Sequence, residues 1–139
     1  MRRTFLALVL LGVGFSLAFA AVEMPAAGHL KGLTWLGHAS FRLERAGVVV
    51  YFDPWKIEGE PLDADLILIS HPHPDHLSPP DIAKLLKAET EIVTVADGAA
   101  KLQEARVNVK IHTVKPADKV AIKGISVEAV PAYNRNKEF

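Results

Sequence analysis

No cysteine occurs in the 139 residues. That absence excludes a disulfide framework, a thiolate nucleophile, a cysteine-ligated zinc finger and a thioether lipid anchor, and it leaves the redox compartment open. A surplus of either charge is missing as well. The chain sets 16 basic side chains against 16 acidic ones, whereas nucleic-acid-binding modules carry a basic excess. Neither a glycine-rich phosphate loop nor an internal repeat is present. What remains is 50% apolar and 23% charged, a balance that disordered chains do not have, at a length suited to one domain.

The first twenty residues differ from the rest. Arg2 and Arg3 precede an uncharged run from Thr4 to Val22 that ends in Ala18-Phe19-Ala20-Ala21. A charged start, an apolar stretch and small residues flanking a cut after Ala20 read as a secretory signal peptide. An uncleaved membrane anchor is the alternative, because the run is just long enough to span a bilayer. Cleavage would leave 119 residues with 14 basic and 16 acidic side chains, enough chain for a real core. The expected organisation is a leader over 1–20, a linker over 21–31 and one domain over 32–139.

Within that domain, Leu33 to Leu36 and Ser40 to Glu44 read as strands, the second by its polar–apolar alternation. Val48 to Phe52 is β-branched and aromatic, a strand paired back as a hairpin across the Arg45-Ala46-Gly47 turn. Leu66-Ile67-Leu68-Ile69 is a continuous apolar run, as in a strand covered on both faces. Ser78-Pro79 starts a helix, with Ser as cap, Pro at the first position and Asp81 three residues on. Ile82, Leu85 and Leu86 give that helix its apolar face. Further elements are a strand over 91–96, a helix over 97–106 with Ala99 and Leu102 inward, a strand over 109–114, and two strands flanking Lys123-Gly124. The order predicts an α/β layered fold with a mixed sheet and flanking helices.

The informative segment is His71-Pro72-His73-Pro74-Asp75-His76, which holds three of the chain's six histidines. Imidazole and carboxylate are ligands for zinc and similar divalent ions. A residue before proline is pushed into an extended conformation, and residues two apart on an extended backbone project to the same side. His71 and His73 should therefore converge on one point. Asp75 and His76, where the chain turns toward the helix, can address a second point nearby. The segment follows a buried strand, where α/β sheets place ligands, and its prolines exclude a helical zinc motif.

H-x-H-x-D-H after an apolar strand resembles the signature of the metallo-β-lactamase fold superfamily. Trp35-Leu36-Gly37-His38-Ala39-Ser40-Phe41, Tyr51-Phe52-Asp53-Pro54-Trp55, Ala64 to Ser70 and Val130-Pro131-Ala132-Tyr133-Asn134 are similar to the branch of zinc-dependent hydrolases related to the ascorbate-6-phosphate lactonases. The resemblance runs from about Leu33 to the end of the chain. It implies the N-terminal half of an αββα sandwich. It implies His71 and His73 as ligands of a first metal, and Asp75 and His76 as ligands of a second, with Asp75 also orienting the attacking water. Asp53 matches the acidic residue that supports the histidine loop, and His38 lies in a turn near the site mouth. The family's remaining ligands, a further His, a bridging Asp in a Gly-Asp-Thr-like turn and a last His, have no counterpart after Asn134, so the chain reads as C-terminally truncated. Half a sandwich is expected to expose an apolar sheet face.

The resulting expectation is a metal-dependent hydrolase with one or two Zn2+ ions, or another divalent metal, directing a metal-bound hydroxide at a lactone, ester or phosphoester. A small-molecule substrate is the expected partner, with self-association left open and no stable membrane insertion after cleavage. The leader and the family branch point to a periplasmic or secreted bacterial protein. A non-catalytic secreted binding remnant and a metal-sequestering protein are the alternatives. Other signals have plainer readings. Asp53 also suits a turn before Pro54. His38 reads as a hydrogen-bonded turn residue more readily than as a ligand. His29 reads as solvated and His112 as exposed on a strand. Trp35 and Trp55 read as packing or pocket rim. Lys84, Lys87 and Lys101 read as solvated helix faces, and Ser40 and Ser70 lack a base-and-acid pair.

Overall fold

The computed structural model describes residues 30–132; the leader, His29 and the segment from Tyr133 onward lie outside them. Three antiparallel strands open the domain, β1 (Leu33–Gly37), β2 (Ser40–Arg45) and β3 (Val48–Phe52). Then β4 (Leu66–Leu68), β5 (Glu91–Thr94) and β6 (Lys110–Thr113) add in parallel, giving a six-stranded mixed sheet in the order β1-β2-β3-β4-β5-β6. Helix α1 (Pro79–Ala83) lies between β4 and β5, and α2 (Ala96–Glu104) between β5 and β6. A separate hairpin, β7 (Lys119–Ile122) and β8 (Ile125–Glu128), turns at Lys123-Gly124. Both turn residues have positive φ, 50° and 78°, the twist a two-residue hairpin loop demands and the reason glycine stands second.

The continuous apolar run is buried as its composition implies. Register pairs Val50 with Leu66 and Tyr51 with Ile67, so alternate residues feed opposite faces. Tyr51, Ile67 and Ile92 join Ile82, Leu85 and Leu102 beneath the helices, while Val50, Leu66 and Val93 form a second cluster with Ile122. The second cluster carries the β7–β8 hairpin on the face expected to stand open, with Val120, Ile125 and Val127 packed against it.

Four local expectations need correction. First, α1 is five residues long and stops at Ala83, so Leu85 and Leu86 lie past its end. The chain tightens there through Lys84 N–H to Asp81 O (3.1 Å) and Leu85 N–H to Ile82 O (2.9 Å), three-residue bonds that still deliver Leu85 to the core. Secondly, Ser78 caps no helix amide; its hydroxyl donates to Asp81 Oδ2 at 2.7 Å. Thirdly, Trp35 is 67% exposed on β1, the edge strand among the described residues, and its indole N–H donates to His38 O at 3.0 Å. Fourthly, His112 is half-buried and hydrogen-bonded to Glu91, whose carboxylate also takes Lys110 at 3.0 Å.

Helix α2 seats on the sheet through Gly98. A Cβ there would collide with Thr94 Oγ1 and crowd Thr94 Cγ2 at 3.2 Å, and Thr94 is fully buried. Alanine gains about 0.5–1 kcal/mol of helix preference over glycine, but overpacking costs about 1–3 kcal/mol. Gly98→Ala is therefore expected to lower stability by about 1–2 kcal/mol in urea unfolding. Adding Thr94→Ala should recover most of that loss, since Thr94 Oγ1 has no hydrogen-bond partner among the described residues. A double variant no more stable than Gly98→Ala would contradict this account.

Candidate metal centre

Asp53 directly follows strand β3, and the chain beyond β4 brings Ser70 beside it. Asp53 has φ 42°, a left-handed conformation that Asp tolerates better than most residues. The bend turns its carboxylate across the end of the sheet, with the residue buried. Asp53 N–H donates to Leu68 O at 2.9 Å, and Asp53 Oδ1 accepts Ser70 N–H at 2.7 Å. The side chain thus continues the β3–β4 ladder one bond further and fixes where the histidine loop begins. The loop is pinned twice more. Lys101 Nζ of α2 donates to Pro72 O at 2.7 Å, and Leu77 is buried in the helix-side core. Between these anchors, Leu77 N–H and His76 N–H both turn back to His73 O, at 2.8 and 3.0 Å.

The three loop imidazoles are brought together. His71 Nε2 lies 3.0 Å from His73 Nδ1, and the His71 and His76 rings are 3.9 Å apart between centroids. Asp75 Oδ2 lies 3.8 Å from His76 Nε2. It also lies 3.4 Å from His38 Nε2, on the turn between β1 and β2. His38, Asp75 and His76 each offer one ligand atom, all within 4.8 Å of one another.

Hydrogen bonds assign the tautomers. Asp53 Oδ2 accepts the Ser70 hydroxyl at 2.6 Å and faces His76 Nδ1 at 2.8 Å. His76 therefore carries its proton on Nδ1 and turns the Nε2 lone pair outward. Ser70 Oγ, having spent its proton on Asp53, accepts from His71 Nδ1 at 2.9 Å, which leaves the His71 Nε2 lone pair facing His73. Burial first, and then the His76 and His73 imidazoles beside it, hold the His71 pKa below the ordinary histidine value of 6.5, so this ring is neutral near pH 7. A neutral His71 imidazole, with the His76 Nε2 nitrogen and the Asp75 carboxylate nearby, suits a borderline divalent ion. Outer carboxylates that orient ligand histidines in this way are a regular part of metal sites.

Several contacts were not legible beforehand. His38, read as a turn residue, points its ring at Asp75 and stands edge-on to Trp55, 5.2 Å between centroids. Trp55 and His38 then border a cleft of about 400 Å³, together with Arg42, Tyr51 and Lys56. Lys101, exposed as expected, also anchors the loop, Lys87 pairs with Asp65 at 2.6 Å, and Lys84, likewise exposed, donates to Ile57 O at 2.7 Å. Ser40 and Ser70 are both engaged as hydrogen-bonding struts of the Asp53 bend.

Known proteins resemble the chain over most of its described length. Residues 32–138 match the family model described as beta-lactamase superfamily domain. A metal-dependent hydrolase of Methanopyrus kandleri is 30% identical over 114 residues, covering 76% of this chain and 48% of that protein. One from Carboxydothermus hydrogenoformans is 31% identical over 109 residues, covering 73% and 47%. Among solved structures, a candidate metal-dependent hydrolase from Parabacteroides distasonis superposes with a TM-score of 0.67 at 31% identity, covering 75% of this chain and 46% of that one. A metallo hydrolase of Ignicoccus hospitalis, at 20% identity and a TM-score of 0.57 over 72% and 48%, shares the fold. The chain spans about half the length of the curated relatives it matches.

Proposed function

Because the chain belongs to the beta-lactamase superfamily domain family, we propose that its histidine loop serves a metal-dependent hydrolase whose ion, zinc first among the choices, acts on a lactone, ester or phosphoester. The observation that carries this reading is the convergence of His71, His73, Asp75 and His76 at the end of the parallel strands, with Asp53 behind them. His71 and His73 would hold one ion through the facing nitrogens, and Asp75 and His76 a second. A divalent ion so held would lower the pKa of a coordinated water toward about 7 and polarise the substrate's oxygen.

The remaining roles belong to the chain itself. Asp53 keeps the proton on His76 Nδ1, so that ring stays a ligand and does not drift into the other tautomer. Ser70 does the same for His71 through its own bond to Asp53. Asp75, half-exposed beside these rings, is placed to orient an attacking water and to receive its proton. The cleft bordered by His38, Trp55, Arg42 and Lys56 offers a small-molecule substrate an approach with both apolar and charged walls. The leader read over residues 1–20 supports a periplasmic or secreted location.

Purified protein is expected to retain divalent metal near stoichiometric amounts in elemental analysis. His73→Ala should lose most of that metal and bring hydrolysis of chromogenic ester, lactone and phosphodiester substrates down to background. Metal-free wild-type protein, or a His73→Ala variant with undiminished activity, would falsify the reading. Full metal content with no turnover on any substrate class would instead favour a metal-holding module.

A further inference from the structure

We infer that His38 is a third protein ligand of the ion position formed by Asp75 and His76. The inference rests on the reading above and adds a residue from outside the histidine loop. The two imidazole Nε2 atoms face the same oxygen, Asp75 Oδ2, at 3.4 Å from His38 and 3.8 Å from His76. Ligand atoms about 2.0–2.2 Å from a tetrahedral zinc lie roughly 3.3–3.6 Å from one another. The observed separations are close to that figure, and all three atoms fall within 4.8 Å. A plain surface ion pair leaves unexplained that the ring of His38 is held from several sides.

That holding starts in the backbone. His38 has φ 49°, a left-handed conformation that a non-glycine residue keeps only where its surroundings hold it there. The Trp35 indole N–H ties down His38 O at 3.0 Å. The ring packs edge-on against Trp55 at 5.2 Å and against His76 at 5.3 Å between centroids. Strand β1, the loop after β3 and the histidine loop thereby aim one imidazole at Asp75. His38 and Asp75 are each 42% exposed, so an ion can enter from solvent. Three protein ligands with a fourth position open is the arrangement of catalytic zinc sites.

The test uses the full chain, stripped of metal by a chelator and titrated with cobalt(II), followed by d–d absorption and calorimetry. His38→Asn is the variant of choice, because Asn tolerates the left-handed backbone while removing the imidazole. We expect its affinity at one ion position to fall by at least about 100-fold, the upper end of what losing an outer partner costs, with weaker d–d absorption and an unchanged second position. His73→Ala should impair the other position instead. In wild-type protein, zinc should move the His38 Nε2 nitrogen resonance to its metal-bound range, a readout that needs no variant. A His38→Asn protein that binds both ions like wild type, or a His38 resonance indifferent to zinc, overturns the assignment and leaves the His71–His73 reading standing. A wild-type chain that takes up no cobalt at all overturns both.

Discussion

Asp53→Asn is expected to cut metal affinity by about 10–100-fold while costing less than about 1 kcal/mol of stability. The side chain keeps its shape and its preference for the left-handed backbone at φ 42°. Its carbonyl oxygen can still accept Ser70 N–H, the bond that extends the β3–β4 ladder. What changes is the second oxygen, which faces His76 Nδ1 at 2.8 Å and Ser70 Oγ at 2.6 Å. An amide nitrogen there donates where the carboxylate accepted. His76 must then carry its proton on Nε2, the atom turned toward Asp75, and a protonated nitrogen cannot bind an ion. The Ser70 hydroxyl loses its acceptor as well, and with it the tautomer of His71 is released. Cobalt titration beside urea unfolding separates the two effects. If affinity and stability fall together, Asp53 is a structural strut and nothing more; if neither falls, the tautomer argument is wrong.

Asp81→Ala should be the most destabilising single change outside the hydrophobic clusters, at about 2–4 kcal/mol. The Asp81 carboxylate accepts Lys56 N–H at 2.9 Å, Ile57 N–H at 3.0 Å, Ser78 Oγ at 2.7 Å and Lys84 Nζ at 2.9 Å. It therefore staples the bend after Asp53, which carries Trp55, to the start of α1. Truncation strands the Ile57 amide in a buried setting, and a domain of this size has only about 5–15 kcal/mol to lose. A midpoint shift of less than about 3 °C in thermal unfolding would refute the estimate.

The same residue sets an acid limit. Burial, the largest influence, pushes the Asp81 carboxyl up, but the hydrogen bonds from Ser78 and Lys84 and the two backbone amides together outweigh it, and the pKa lies below the ordinary value of 3.8. A carboxyl depressed in the folded state adds stability that is fully present above its unfolded pKa and is lost as pH falls through the folded one. Wild-type protein should therefore lose stability on acidification below pH 3.8, and Asp81→Ala should show a flatter slope there. Some slope should persist in the variant, because Asp65, paired with Lys87, is shifted the same way.

Much of the fold could be read from short stretches of chain. The alternation from Ser40 to Glu44, the unbroken Leu66 to Ile69 run and the Lys123-Gly124 turn each became the element their local chemistry requires. His71 and His73 do face one another within their own loop, but across bends and a turn instead of the extended backbone that the prolines suggested. Such signals are local, because backbone dihedrals and side-chain alternation are decided within a few residues. Where longer-range partners competed, the local rules failed. Ser78 and Asp81 make a capping pattern by spacing, yet the carboxylate found better donors 24 and 25 residues away at Ile57 and Lys56. Lys101 is exposed as expected, yet nothing near it in the chain announces its bond to Pro72 O, 29 residues away.

The sequence by itself therefore determined the mixed α/β architecture and the loop in which three imidazoles and a carboxylate gather, since both follow from neighbours along the chain. Only the tertiary structure decided that Asp53 grips His76 from a distance of 23 residues and that His38 comes to face Asp75. Strand pairing moves whole segments at once, and the meeting of two side chains across a sheet depends on register and bend angles that no short stretch encodes.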